Sequence, residues 1–152
     1  MATVRVQEAE FDIGAEFAAI GAGRTDIGGI GCFVGTVRDR AGGRPIAAMT
    51  LEHYPAMTGP ALARIAAEAE RRWSLLGCTV IHRVGRLPLG ANIVLVIAAA
   101  SHRQAALDAT AFLIDWLKTK APFWKKERLR SGAETWIEAR PEDDEAAARW
   151  GS

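Results

Sequence analysis

The sequence predicts an α+β fold in a single domain of 152 residues. Two long stretches, 58–76 and 101–121, repeat their apolar residues at helical spacing. Shorter apolar or alternating runs lie around them, and several pairs of these runs are separated by brief turns such as Pro88-Leu89-Gly90. Because such turns join neighbouring strands as antiparallel hairpins, they favour an α+β fold over a doubly wound parallel sheet.

Strands are predicted where apolar or β-branched residues form short runs bounded by breakers. These runs occupy 3–6, 27–38, 45–53, 79–87, 92–100, 123–128 and 135–139, with turns at 39–43 and 131–132. The run 92–100 is apolar throughout, so its strand is expected to be buried on both faces. The run 27–38 contains four glycines, which indicates a strand beside a ligand or a bulge.

Helices are predicted by their end signals as well as by their apolar stripes. Asp12 can cap a short helix that ends at a pair of glycines. The first long helix is followed by Gly77, where a left-handed terminal residue is expected. Ser101 and Gln104 fit a capping box at the start of the second long helix. The acidic run 141–145 is expected to lead into a last helical turn.

Composition argues against several classes of function. The chain has 19 basic and 18 acidic residues, so bulk attraction to nucleic acid or to a membrane is not expected. No stretch of about 18 apolar residues and no signal segment occurs, and the cytoplasm is the expected compartment. Cys32 and Cys78 form no CxxC motif, and the histidines His53, His82 and His102 are scattered. Neither a metal site nor a disulfide framework is therefore expected.

The segment 118–127 crowds four lysines around a proline and two aromatic residues. Apolar surroundings and neighbouring like charges both disfavour protonation of a lysine, so one of these lysines could serve as a nucleophile or an acid-base group. The cluster would also hold an anion. The alternative is that lysines collect at a helix C-terminus because the helix dipole favours cations there.

Two further places carry residues suited to an anionic ligand. His102 and Arg103 begin a predicted helix, where free backbone amides and the dipole favour an anion, although both residues could simply be solvated. Arg38 ends the glycine-rich strand and could reach a ligand, or be an ordinary strand-end arginine. Phe33, with Trp124 as a second candidate, would supply an aromatic wall. If the fold joins these places to the lysines, the pocket suits a flat, anionic, phosphorylated substrate.

Several motifs together resemble one family. They are FxGxVR at 33–38, LEHYPxM at 51–57, HRxG at 82–85, SHR at 101–103, a lysine at 118 and PFWKKE at 122–127. In order and spacing they resemble the large, catalytic subunit of molybdopterin synthase. The resemblance extends from about Gly29 to Trp150.

The resemblance implies an α/β hammerhead fold with an additional antiparallel β-sheet. It also implies an enzyme of molybdenum cofactor biosynthesis. Such an enzyme takes sulfur from the C-terminal Gly-Gly thiocarboxylate of a small ubiquitin-like subunit and inserts two sulfurs into cyclic pyranopterin monophosphate as the dithiolene of molybdopterin. A homodimer that binds one small subunit at each end, and so forms a heterotetramer, is implied as well. No cofactor of the chain's own is expected.

The family's functional residues match positions of this chain. Lys118 and Lys125 match its essential lysines. Lys118 would lie nearest the thiocarboxylate as an acid-base group or transient acceptor, and Lys125 would stabilise charge that develops on the substrate. The positions implied as substrate contacts are Thr36, Val37, Arg38, His102, Arg103, Lys126, Glu127 and Arg140.

Two other classes of function stay open at this point. A non-catalytic binding module for a phosphorylated pterin would use the anion contacts but would not need Lys118 and Lys125, so their presence favours an enzyme. A protein that only recognises a partner's C-terminal tail would have no use for His102 and Arg103. The order of the two sulfur transfers, and which lysine performs which step, are not predicted.

Overall fold

The computed structural model describes residues 2–41, 43–137 and 140–151. In chain order its helices and strands are β1 Thr3–Gln7, α1 Ile13–Gly21, β2 Gly29–Thr36, β3 Arg40–Ala41, β4 Arg44–His53, α2 Pro55–Trp73, β5 Gly77–Arg83, β6 Gly85–Pro88, β7 Asn92–Ala100, α3 Arg103–Thr119, β8 Phe123–Leu129, β9 Glu134–Ile137 and α4 Pro141–Ala148. The predicted turn 39–43 and the predicted strand 135–139 lie partly outside the described residues. The mixture of helices and mainly antiparallel strands is the predicted α+β class.

The first sheet has four strands in the order β1-β5-β7-β2, of which only the β1–β5 pair is parallel. Neighbouring residues of a strand face opposite sides of a sheet. Val80 accordingly packs in a core with Leu62 of α2 and Leu113 of α3, whereas Ile81 packs with Phe11 on the side of α1. The sheet therefore lies between α2 and α3 on one face and α1 on the other.

The second sheet has five strands and is organised around β4. The order is β3-β4-β8-β9, and β6 pairs with the edge of β4 that lies opposite β8. The predicted strand 79–87 is divided into β5 and β6, because the chain turns at Gly85 with a φ of +87°. This turn carries the chain from the first sheet into the second.

The glycines of β2 let α3 approach the sheet closely. A side chain at Gly31 would lie 2.4 Å from Oγ1 of Thr110 and 2.8 Å from the carbonyl oxygen of Ala106. The close neighbour at this position is therefore a helix rather than a ligand. The predicted bulge is present between Gly35 and Thr36.

The end of α2 differs from the sequence prediction. The helix ends at Trp73, and Ser74, with a φ of 49°, takes the left-handed position expected of Gly77. Gly77 instead begins β5, where a side chain would lie 2.5 Å from Ile20 of α1. Close packing of α1 on the sheet, and not helix termination, thus explains the glycine.

The predicted capping box of Ser101 and Gln104 is wrong. His102 is the N-cap residue of α3, with no side-chain capping bond. The Gln104 amide donates to Asp108 one turn along the helix at 2.9 Å instead. The cap predicted at Asp12 is confirmed, since its carboxylate accepts from a first-turn backbone amide at 3.0 Å.

The C-terminal segment packs on α3. Residues of the acidic run 141–145 lie in α4 itself, three of them in its first turn, where the helix dipole favours negative charge. Trp150 lies edge-on against Trp73 and Phe112, with ring centroids 5.5 and 5.7 Å away. Its indole nitrogen donates to Asp115 of α3 at 2.7 Å.

Candidate active site

Lys118 and Lys125 are brought together by the reversal of the chain between α3 and β8. The helix ends at Thr119, and the backbone N–H of Phe123 donates to the carbonyl of Ala121 at 2.8 Å, which closes a tight turn. β8 then runs back past the helix end. The pair was expected from its place in the sequence, because only seven positions separate the two lysines.

Lys125 is the more buried of the two lysines. It lies opposite Leu51, which is 1% exposed, in the β4–β8 pairing. Burial and, next, the positive charge of Lys118 lower the pKa of Lys125 to about 8, whereas Asp143 and Glu127 act to raise it. A lysine with that pKa is about one-tenth neutral amine at pH 7.

Glu127 is a buried carboxylate beside this lysine. It is 7% exposed and lies two residues after Lys125 on the same face of β8. Burial raises the pKa of Glu127, and Arg44, Lys125 and Arg38 act to lower it. The structure therefore gathers Arg38 and Glu127 with Lys125. It also adds Arg44, which no sequence motif singled out.

The other predicted residues of β2 lie near its end. Val37 is 3% exposed, its N–H donates to the carbonyl of Ala91, and its carbonyl accepts from Gly90. Its side chain is thus part of the core and its backbone is already paired. Thr36 is exposed, and Phe33 packs partly buried against the core.

Lys126 faces away from Lys125, because neighbouring residues of a strand point to opposite faces. Its Nζ lies 3.7 Å from the Glu134 carboxylate and 5.2 Å from the ring centroid of Trp136. Lys126 is therefore held by β9 rather than added to the lysine pair.

His102 and Arg103 lie at the opposite end of α3 from Lys118. The 15 positions between Arg103 and Lys118 correspond to about 22 Å along a helix. Both residues of the pair are exposed. Within one chain, the predicted anion contacts at the helix start are therefore well separated from the lysines.

Arg140 is linked to the lysine pair through Asp143. It is the N-cap residue of α4, and its Nε lies 3.7 Å from Asp143 and 4.0 Å from Glu142. Asp143 in turn acts on the pKa of Lys125. Sequence reasoning missed Asp143, since nothing in its local pattern distinguishes it from the neighbouring acidic residues.

A buried imidazole adjoins the lysine pair. His82 is 4% exposed, and its ring stacks on Phe123 with centroids 3.8 Å apart. Burial lowers the pKa of His82 to about 3, with smaller contributions from Lys125 and Lys118 in the same direction, although a hydrogen bond to a backbone carbonyl opposes the shift. The ring is therefore uncharged at neutral pH.

Comparison with known proteins identifies the family. The model of the MoaE protein family matches residues 6–120. The chain belongs to the MoaE family. It is 52% identical to the molybdopterin synthase catalytic subunit of Mesorhizobium japonicum over 151 residues, which cover 99% of this chain and 94% of that protein.

Solved structures of the MoaE family have the same fold. The MoaE protein of Burkholderia ambifaria is 52% identical, with a TM-score of 0.83 over 100% of this chain and 99% of that one. A protein–protein complex of subunits 1 and 2 of molybdopterin-converting factor from Helicobacter pylori contains a chain with 19% identity and a TM-score of 0.65 over 92% of this chain and 90% of that one. The predicted family, fold class and catalytic-subunit role in molybdopterin synthesis are thereby confirmed.

In this MoaE chain the residues with implied roles form two groups. The group at the C-terminal end of α3 comprises Lys118, Lys125, Arg38, Glu127 and Arg140. The second group, His102 and Arg103, lies at the start of the helix. Two grooves of about 370 and 550 Å³ adjoin His53, and neither is lined by a lysine.

Among the described residues, no three His, Cys, Asp or Glu side chains lie together in a way that could hold a metal ion. None of the helices that they form is both long and apolar enough to cross a membrane.

Proposed function

We propose that the chain transfers sulfur from the C-terminal thiocarboxylate of a small ubiquitin-like subunit to cyclic pyranopterin monophosphate, and so forms the dithiolene of molybdopterin. The observation that carries this proposal is the Lys118–Lys125 pair, in which one lysine is buried against the other and its pKa is lowered to about 8. Membership of the MoaE family supports the reaction class.

The lysine pair matches the chemistry of the transfer. In each cycle the thiocarboxylate sulfur forms a bond to a carbon of the pterin side chain, and an oxygen substituent leaves that carbon with the bonding electron pair and is protonated. Water then cleaves the bond between sulfur and the acyl carbon, which leaves a carboxylate on the small subunit and a thiolate on the pterin. Lys118, the more exposed lysine, would meet the incoming thiocarboxylate. Lys125, deeper in the site, would stabilise the charge that develops on the substrate.

The proposal includes a homodimer whose sites are shared between protomers. A pterin monophosphate is too small to bridge the roughly 22 Å of helix that separates Arg103 from Lys118 in one chain. If both groups contact one substrate, His102 and Arg103 must come from a second copy. Each site would then combine the lysines of one protomer with His102 and Arg103 of the partner subunit.

The small subunit is proposed to dock beside β8. Tyr54 and Trp124 are 61% and 43% exposed, and their rings meet edge to face with centroids 5.1 Å apart. Met57, one helical turn along, is 55% exposed. Apolar and aromatic surfaces of this kind are typical of binding hot spots. The Helicobacter pylori neighbour is a complex of two subunits. The expected compartment of the present chain is the cytoplasm.

Reconstitution tests the proposed function. The purified chain is mixed with the thiocarboxylated small subunit and cyclic pyranopterin monophosphate, and the pterin product is weighed by mass spectrometry. We expect a product that has gained two sulfur atoms, and none when the small subunit ends in an ordinary carboxylate. A pterin that binds but gains no sulfur would contradict the proposal and favour the binding-module alternative.

A further inference from the structure

His82 belongs to the HRxG motif at 82–85, to which the proposed function assigns no role. It lies near the end of β5, opposite Val94 of β7 and Val6 of β1, where the chain leaves the first sheet for the second. A histidine that is 4% exposed must satisfy its polar atoms inside the protein. The contacts of its ring therefore indicate what role the side chain has at this position.

One ring nitrogen of His82 is fixed by the backbone. Nδ1 lies 2.8 Å from the carbonyl oxygen of Arg83. A carbonyl only accepts hydrogen bonds, so Nδ1 carries the hydrogen and the lone pair of the neutral ring is on Nε2. This bond sets the plane of the imidazole at the junction of the two sheets.

The face of the same ring supports Phe123. The two rings are nearly parallel, with 16° between their planes and centroids 3.8 Å apart. Phe123 is the first residue of β8, and Lys125 follows it on the same face of the strand. The stack therefore holds the strand at the point where it leaves the turn that joins the two lysines.

Three side chains around the stack influence the pKa of His82. Lys125, Lys118 and His53 each act to lower it, and the ring of His53 lies 6.1 Å from that of Phe123. With its lowered pKa, His82 has no charge of its own at neutral pH. The other charged groups that act on Lys125 are Glu127 of β8 and Asp143 of α4. A protonated imidazole here would add a third positive charge to the lysine pair, whereas a neutral ring does not.

We propose that His82 is a positioning residue for the lysine pair: its ring, anchored to the Arg83 carbonyl and stacked on Phe123, sets the distance between Lys118 and Lys125. The inference deepens the proposed sulfur transfer, because it concerns the geometry of the same site. His82 itself does not contact substrate in this arrangement; it acts through Phe123 and β8.

Substitutions at His82 separate the ring from its anchor. His82→Phe keeps a ring to stack on Phe123, whereas His82→Asn keeps a side-chain N–H donor but removes the ring. Phe123→Leu removes the stack from the other side. Val80→Ala is the matched control for a general loss of packing, since Val80 is fully buried two residues before His82 on the same face of β5, in the core against which Phe123 also packs.

The primary measurement is the titration of Lys125 by NMR of ¹³C-labelled lysine, assigned with Lys118→Met and Lys125→Met. In His82→Asn and Phe123→Leu we expect the pKa of Lys125 to rise from about 8 by about one unit or more, because the lysines move apart. His82→Phe should stay within about half a unit of the wild type. Val80→Ala should lower the melting temperature without moving the titration.

Turnover gives the second readout. We expect His82→Asn to lower kcat roughly tenfold with little change in KM, and His82→Phe to recover most of that loss. The double variant His82→Asn/Phe123→Leu should be no worse than the poorer single variant, because both remove one contact.

Three results would overturn the inference: an unchanged Lys125 titration in both His82→Asn and Phe123→Leu, an equal shift in Val80→Ala, or additive losses in the double variant. If His82→Asn does not fold, the titration of Lys125 in Phe123→Leu decides the question. This variant is expected to fold, because Phe123 is partly exposed. The titration needs no sulfur transfer. An expected shift in a chain that forms no dithiolene would therefore refute only the proposed function.

Discussion

Lys118 and Lys125 come from different elements, yet the charge of Lys118 is the largest electrostatic influence on Lys125 after its burial. Two adjacent ammonium groups are unfavourable in the free protein and become favourable when an anion lies between them. Under the proposed function, the pair would thus be preorganised for a thiocarboxylate or phosphate, at a cost to the stability of the unliganded fold.

Lys118→Ala is expected to abolish sulfur transfer and to leave the fold intact, because Lys118 is exposed. Loss of its charge should also raise the pKa of Lys125 from about 8 towards its ordinary value of 10.5. Mass spectrometry of the pterin and lysine NMR measure the two effects. A near-normal rate would remove Lys118 from the mechanism.

Lys125→Met should stabilise the protein while it removes activity. The pKa of Lys125 falls from 10.5 to about 8 on folding, so at pH 7 the folded state disfavours the charged form by about 3 kcal/mol. We expect the free energy of unfolding in urea to rise by about 1 to 3 kcal/mol. The gain can fall short of about 3 kcal/mol because methionine does not attract Glu127 as the lysine does.

The sign of this effect gives a pH test. Between pH 8 and 10.5 the wild-type folded state holds fewer protons on Lys125 than the unfolded state does, so wild-type stability increases with pH over that window. The advantage of Lys125→Met should therefore shrink from pH 8 to 10.5. Lys120→Met, at the exposed C-cap of α3, is the control and should show no such trend.

The lysine pair could be predicted from sequence because its geometry is local. A clear amphipathic helix ends at Thr119, shortly before Pro122, and a short turn follows, so Lys118 and Lys125 had to lie close together. The same rise of 1.5 Å per residue also separates Arg103 from Lys118 by about 22 Å. Sequence motifs grouped Arg103 with the lysines because motifs carry no distances.

The missed residues are those that tertiary structure alone brings in. Arg44 and Asp143 reach the site through sheet pairing and the docking of α4, which no local pattern reports. Gly77 was assigned to a helix end because glycine is common there, whereas its neighbour Ile20 lies 57 positions earlier in the chain. Contacts of that separation leave no mark on local propensity.

Asp143→Asn should lower the pKa of Lys125 below about 8, because it removes a carboxylate that favours the ammonium form. The alkaline limb of the pH–rate profile should move to lower pH if the ammonium is the active form. Asp144→Asn is the matched control in the same turn of α4, since Asp144 is exposed. Equal shifts in the two variants would show a general charge effect and no specific contact.

Mixing two variants, each expected to lose activity as a homodimer, tests whether sites are shared between protomers. Lys118→Ala and Arg103→Ala are unfolded together and refolded as mixed dimers. If each site uses Lys118 of one protomer and Arg103 of the other, a mixed dimer contains one intact site, and random pairing restores about a quarter of the wild-type rate. Mixed dimers without activity would place all the residues of a site in one protomer.

Stability in acid should depend on His82. The pKa of this imidazole falls from 6.5 to about 3 on folding, so the unfolded chain takes up a proton first as the pH decreases. The buried imidazole therefore leaves the free energy of unfolding unchanged above pH 6.5. Between about pH 6.5 and 3 it lowers that free energy as the pH falls, with a slope of up to about 1.4 kcal/mol per pH unit.

His82→Phe cannot take up this proton in the unfolded state. We therefore expect its free energy of unfolding in urea to depend less steeply on pH between 4 and 6 than that of the wild type. The difference between the two slopes should correspond to the uptake of about one proton on unfolding. His102→Asn, at an exposed position, is the control for the loss of a histidine. Parallel wild-type and His82→Phe curves over this window would mean that the buried imidazole already takes up its proton in the folded protein, and that a neutral ring does not support Phe123.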